Sequence, residues 1–390
     1  MQRISHCHCA DHHLLHFDND SCVRCGAPVG YLPSHHQLVS LIPEGHFLGT
    51  DNLPRWRLAS DTGTTASAWD PGHGPALFKP CANRTQPARC NWLLADSDPG
   101  VFCPACRLNE CIPDLSVPGN DERWWKIEHA KRRLVSVLLA LDLPVHPRDT
   151  HPDTGLAFLF LQGSNAEPVQ TGHLDGRITL DITEADDAVR ERERVRLGEH
   201  QRTLLGHLRH EAGHRYWEVL VRDRGRDHDF RQQFGDWTTD YGQSLQRHYD
   251  QGPPPDWQEH YISAYASMHP WEDWAETWTH YLLMRDVLWT ARDLDHCQPT
   301  DPSVPRAAAT NPTNLNIRAR GAVPAEPAPD FDALQTDWLR LSLTVNTINR
   351  AAGLADLYPF VLTPLVRAKL AWVHNLIRPL RPLRGVTGNG

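Results

Sequence analysis

No stretch of this sequence stays apolar for long enough to cross a bilayer. The most hydrophobic run, "LVSVLLALDLPV", falls short of the about 20 residues that a spanning helix needs. Nor does a positively charged start lead into an apolar segment and a small-residue cleavage site, so a cytoplasmic protein with no membrane partner is expected. A basic surplus is missing too: 39 Lys and Arg stand against 48 Asp and Glu, a net charge of -9. That balance leaves no footprint for a phosphate backbone, and no nucleic-acid partner is expected. Cysteine is almost absent beyond residue 111, where Cys297 stands alone and reads as an ordinary free thiol.

The other nine of the 10 cysteines crowd into the first 111 residues. With no export signal, metal thiolates are favoured over disulfides. Cys7 and Cys9 flank one residue, and Cys22 and Cys25 flank two, so each pair can present both sulfurs from one tight turn. Four thiolates close a tetrahedral structural zinc site, and Gly26 suits the turn behind the second pair. Cys81, Cys90, Cys103 and Cys106 form a second such set, in which Cys111 could replace one member. Zinc contributes folding free energy directly, which accounts for order in a Pro-rich region without long apolar runs.

With 390 residues, two or three domains are expected. The reading is an α+β chain in which a cysteine-rich zinc-ribbon module at 1–118, made of short strands between turns, precedes a mainly helical domain at 119–297. A linker at 298–330, a helical part at 331–379 interrupted near "DLYPFVL", and a disordered tail at 380–390 follow. In "DERWWKIEHAKRRLVSVLLALDLP", Ile127, Leu134, Leu138 and Leu141 share one helical face. "GRITLDIT" alternates, with Ile178, Leu180 and Ile182 on one side, as a half-buried strand should. The charged run "EADDAVRERERVRLGEH" reads as a solvated face.

Chemistry concentrates in "LLGHLRHEAGHRYWEVLV", residues 204–221. On a helix, His210 and His214 share a face and can reach one metal, while Glu211 stands beside them towards a bound water. A catalytic zinc takes three protein ligands and keeps one open position. Trp217 and Leu220 stand where a metzincin needs Gly and His, which excludes that class. The third ligand is left among Glu272 and Glu276, four apart in "HPWEDWAETW", and Asp236 and Asp240 in "FGDWTTDYG". Two carboxylates on one helix suit a ligand plus an acceptor that orients a ligating His. Tyr241, His248, Tyr249 and His280 read as core or supporting residues, and "RITLDIT" is one candidate for an edge strand that pairs with an extended peptide.

Residues 4–33 and 81–118, with "HLRHEAGHRYW", "FGDWTTDYGQSLQRHY", "SAYASMHPWEDWAETWTHYL" and "INRAAGLADLYPFVL", resemble the bacterial zinc-binding metallopeptidases that carry an N-terminal zinc ribbon. That resemblance implies a zincin-like fold and a peptide or protein substrate. "YASMHPWEDWAE" is similar to a segment of the gluzincins related to anthrax lethal factor and the Mlc titration factor. The similarity implies Glu272 as third ligand and Tyr265 as a donor to the oxyanion. The combined expectation is one catalytic zinc on His210, His214 and Glu272, with Glu211 as general base, and two structural zinc ions on the cysteine sets. The alternative is a zinc-stabilised interaction scaffold whose zincin domain holds a peptide without cutting it. Its ribbon would then be the surface for a protein partner.

Overall fold

The computed structural model describes residues 4–9, 13–49, 51–59, 77–163, 169–197, 203–294 and 330–377. Cys297, the expected linker up to residue 329 and the expected tail lie outside these residues. The chain divides into two compact units, one of residues 1–107, 288–328 and 383–390 and the other of 108–287 and 329–382.

The described residues of the first unit up to residue 107 form short strands, turns and 3-10 turns, as the Pro-rich sequence leads one to expect. β1 (Ile4–His6) pairs antiparallel with β2 (Leu14–His16). A five-stranded antiparallel meander follows in chain order: β3 (Val29–Leu32), β4 (Gln37–Leu48), β5 (Pro54–Leu58), β6 (Phe78–Pro80) and β7 (Leu93–Ala95). Leu32, Leu41, Trp56, Leu58, Phe78 and Leu93 pack together in one core cluster of this unit. A buried ion cluster crosses the sheet, where Asp51 accepts from Arg55 Nη1 at 2.9 Å and from Lys79 Nζ at 2.9 Å.

The second unit begins with a parallel β-α-β step. β8 (Asn109–Cys111) leads through α1 (Asn120–Ala140) to β9 (Ala157–Leu161), which lies parallel to it. Ile127, Leu134, Leu138 and Leu141 are all buried, as the helical periodicity predicts. Next come β10 (Gly172–Leu174) and β11 (Arg177–Asp181), joined by Asp175 and Gly176 with φ of 48° and 77°. Positive φ at both positions suits a tight hairpin turn, which Asp-Gly adopts readily. The strand order is β10-β11-β9-β8. β11 therefore has a partner on each side, and β10 and β8 are the edges among the described residues. The expectation of an edge at "RITLDIT" is corrected: β10 is too short to show an alternating pattern of its own.

Helices complete this unit: α2 (Asp187–Leu197), α3 (Leu204–Trp217), α4 (Asp227–Phe234), α5 (Tyr241–Gln251), α6 (Trp257–His260), α7 (Pro270–Asp293), α8 (Phe331–Ala351) and α9 (Pro364–Ile377). Pro270 occupies the first turn of α7, where a missing N–H costs nothing. α3 continues through a wider π turn at Glu218–Arg222, and Gly225 then takes the left-handed conformation (φ 64°) that the sequence reserves for a helix end. No described helix is long and apolar enough to cross a membrane.

Candidate metal centre

α3 is buried nearly all round, which is why its apolar residues show no single stripe. Thr203 caps it by accepting from Gly206 N at 2.9 Å. α7 packs across it at Gly213, where an added Cβ would lie 3.2 Å from Ala275 Cα and 3.1 Å from Trp278 Cδ1. Trp274 Nε1 donates to Gly213 O at 2.7 Å, and Arg209 pairs with Asp286 at 2.8 Å in the interior. These contacts, from Trp274 to Asp286, hold α7 against α3.

His210 Nε2 consequently lies 2.9 Å from Glu272 Oε2, and His214 Nε2 lies 3.5 Å from Glu272 Oε1. One donor atom from each of His210, His214 and Glu272 falls within 4.8 Å of the others. Tetrahedral zinc with bonds of about 2.0 Å separates its ligands by roughly 3.3 Å, so this set fits the ion. His210 Nδ1 lies 2.8 Å from Glu276 Oε1. A carboxylate only accepts, so each ring nitrogen carries a proton while Glu276 and Glu272 face them; a bound metal would take the place of the Nε2 proton and leave Nδ1–H to Glu276. Ser263 Oγ donates to Glu276 Oε2 at 2.7 Å, and Tyr241 OH donates to Glu272 Oε1 at 3.0 Å. Burial works against charge on His210, but Glu272 and Glu276 outweigh it and hold the pKa well above the usual histidine value.

The remaining carboxylates considered for the third position are engaged elsewhere. Asp236 Oδ1 binds Arg231 at 2.5 Å and Thr238 N at 3.0 Å, while Asp240 caps α5 through Gln243 N at 2.8 Å. Tyr265 is half-buried, its ring centroid 6.1 Å from that of His210. Tyr249 is 56% exposed and lies outside the core, contrary to the sequence reading, whereas His280 is buried and bonded to Tyr358 OH at 2.9 Å.

Two residues beside the motif were missed. His207 Nε2 sits 3.2 Å from Glu211 Oε1, and its Nδ1 sits 2.6 Å from Glu184 Oε2. His207 precedes Glu211 by four residues, so helical periodicity places them on one face. Glu184 opens the charged run read as solvated, yet it is buried beside α3.

In the first unit, Cys7, Cys9, Cys22 and Cys25 come together, and so do Cys81, Cys90, Cys103 and Cys106. The second set is wholly buried, whereas Cys25 is exposed. Cys7 and Cys25 sulfurs stand 3.6 Å apart and those of Cys90 and Cys103 3.7 Å apart, distances of co-ligands rather than of a disulfide near 2.05 Å. Cys111 lies apart in β8, its thiol directed to Ile112 O.

The sequence profile of the family described as "Putative zinc-binding metallo-peptidase" matches residues 120–376. The chain belongs to this family. A zinc-ribbon domain profile matches residues 4–117, the segment that holds both cysteine sets. An uncharacterized protein of Mycobacterium bovis is similar to this chain, 38% identical over 371 residues, covering 94% of this chain and 93% of its own. Two uncharacterized proteins of Mycobacterium tuberculosis strains show the same identity and coverage. No solved structure matches the chain. For a zinc-binding metallo-peptidase, the one set of two histidines and a glutamate among the described residues is the centre to consider, because the other two sets are all cysteine.

Proposed function

We propose that the second unit hydrolyses peptide bonds as a gluzincin-type zinc peptidase. The observation that carries this reading is the convergence of His210, His214 and Glu272, with Glu211 beside them and Glu276 orienting His210. Bound zinc supplies the Lewis acidity that polarises a carbonyl and acidifies a water molecule. Glu211 accepts the water's proton and passes it to the leaving amine. Tyr265 donates to the carbonyl oxygen as it gains charge, and Tyr241 steadies Glu272 from the opposite partner. The two cysteine sets each hold one structural zinc, giving three ions per chain. The ribbon serves stability or contact with a protein.

A cleavage screen of a proteome-derived peptide library with zinc-loaded protein tests the reading, with Glu211→Gln as control. Cleavage by the parent and none by Glu211→Gln supports hydrolysis. Equal cleavage by both removes Glu211 from the reaction. Peptide binding without cleavage by either protein favours the scaffold reading instead.

A further inference from the structure

Glu211 is the end of a chain of contacts that reaches back to the sheet. Its Oε1 lies 3.2 Å from His207 Nε2, and His207 Nδ1 lies 2.6 Å from Glu184 Oε2. Glu184 Oε1 accepts from Thr171 Oγ1 at 2.8 Å, and the same Oγ1 accepts from the backbone N of Asp181, the last residue of β11, at 3.2 Å. Glu184 itself sits in the short 3-10 turn Ile182–Ala185, whose first residues are fixed by Asp181 accepting from Thr183 N at 2.8 Å. Each member is largely buried, with side-chain exposures of 12% for His207, 11% for Glu184 and 8% for Glu211.

A glutamate carboxylate turns freely about its last torsion, where the wells are broad. A general base needs one lone pair held within about 2.6–3.2 Å of the proton it takes, and misplacement by about 1 Å can cost on the order of 100-fold in rate. Burial opposes charge on His207, but Glu184 and Glu211 outweigh it and push its pKa up to about 9. At neutral pH both ring nitrogens therefore donate, one to each carboxylate.

We propose that His207 and Glu184 are positioning residues for Glu211: Glu184, anchored at the end of β11, aims the His207 ring, which ties Glu211 Oε1 and leaves Oε2 to face the reacting water. The inference rests on the peptidase reading for its catalytic consequence. A merely structural pair would join α3 to the turn after β11 and would leave turnover intact once the protein is folded.

The test has two readouts on the full chain. In zinc-loaded protein, NMR of ¹⁵N-histidine-labelled samples should show both His207 ring N–H protons shifted downfield and slow to exchange, and Glu184→Gln should remove this signature. In zinc-loaded protein, His207→Ala should lower kcat by about 10- to 100-fold, the usual effect of losing a partner that orients a site residue. KM and zinc content should stay within about twofold. His207→Gln, which keeps a donor, should recover part of the loss, and Glu184→Gln provides the same comparison if His207→Ala does not fold. Absence of the downfield protons, or kcat within about twofold of the parent in folded His207→Ala, overturns the inference while leaving the peptidase reading standing. A parent that cuts no peptide overturns the peptidase reading and the catalytic role together.

Discussion

His210 Nδ1 lies 2.8 Å from Glu276 Oε1, one helical turn beyond the carboxylate that faces the opposite ring nitrogen. One ring is thereby gripped from both sides by α7. Because Glu276 settles which nitrogen keeps the proton, its removal should weaken metal binding without touching a ligand. Glu276→Ala is expected to lower zinc affinity by about 10- to 100-fold, read by competition with a chelator. Unchanged affinity would mean that His210 is oriented by packing alone.

Gly213 brings a second expectation. Its position allows the close approach of α7, and a side chain there would meet Trp278 Cδ1 at 3.1 Å and the backbone Cα of Ala275 at 3.2 Å, the second of which cannot swing aside. Gly213→Val should destabilise the second unit by about 1–3 kcal/mol through overpacking and should also lower zinc affinity, since Glu272 rides on the displaced helix. Denaturant unfolding and zinc titration check the two effects. A stable variant with parental affinity would show that the helices relax apart without moving the ligands.

The cysteine sets can be separated from the His-Glu centre by counting ions. His210→Ala should lose one zinc of three and keep the first unit folded. Cys90→Ser breaks the wholly buried set. It should lose a different zinc and expose the β3–β7 meander, because loss of a structural metal withdraws folding free energy directly. Metal analysis with amide hydrogen exchange reads both. Loss of the same ion in the two variants would contradict the assignment of separate sites.

Much of this centre is local in the sequence, and that part was legible. His210 and His214 need only helical spacing to meet, and Glu272 with Glu276 follows the same rule on α7. The core face of α1 was legible for the same reason. What escaped depends on contacts between distant segments. Glu184 looks like one charge among many until β11 and its turn carry it to α3, where His207 takes it as a partner. β10 is three residues with one glycine, so nothing in its pattern reveals that it, and not β11, borders the sheet. Spacing alone left Glu272, Glu276, Asp236 and Asp240 open and only the resemblance singled out Glu272; the crossing of α3 and α7, which brings it to the two histidines, is encoded by no spacing along the chain.

Acid should uncover the ion cluster of the first unit. Hydrogen bonds from Arg55, then from Lys79, hold the Asp51 pKa well below its ordinary value, with burial opposing them. A folded-state pKa below the unfolded one means that the carboxylate contributes stability above the unfolded value of about 3.9, and that this contribution fades as the pH falls towards the folded value. Breaking a buried pair from one side costs on the order of 3 kcal/mol, because the remaining charges lose their partner. Asp51→Asn should therefore lower the stability of the meander by about that amount at pH 7, measured by amide hydrogen exchange in β3–β7. The gap between parent and variant should narrow as the pH drops below about 4. Acid also releases thiolate-bound zinc, but it does so in both proteins, so the difference between them isolates Asp51. A gap that stays constant from pH 7 to pH 3 would mean that Asp51 acts through packing rather than through its charge.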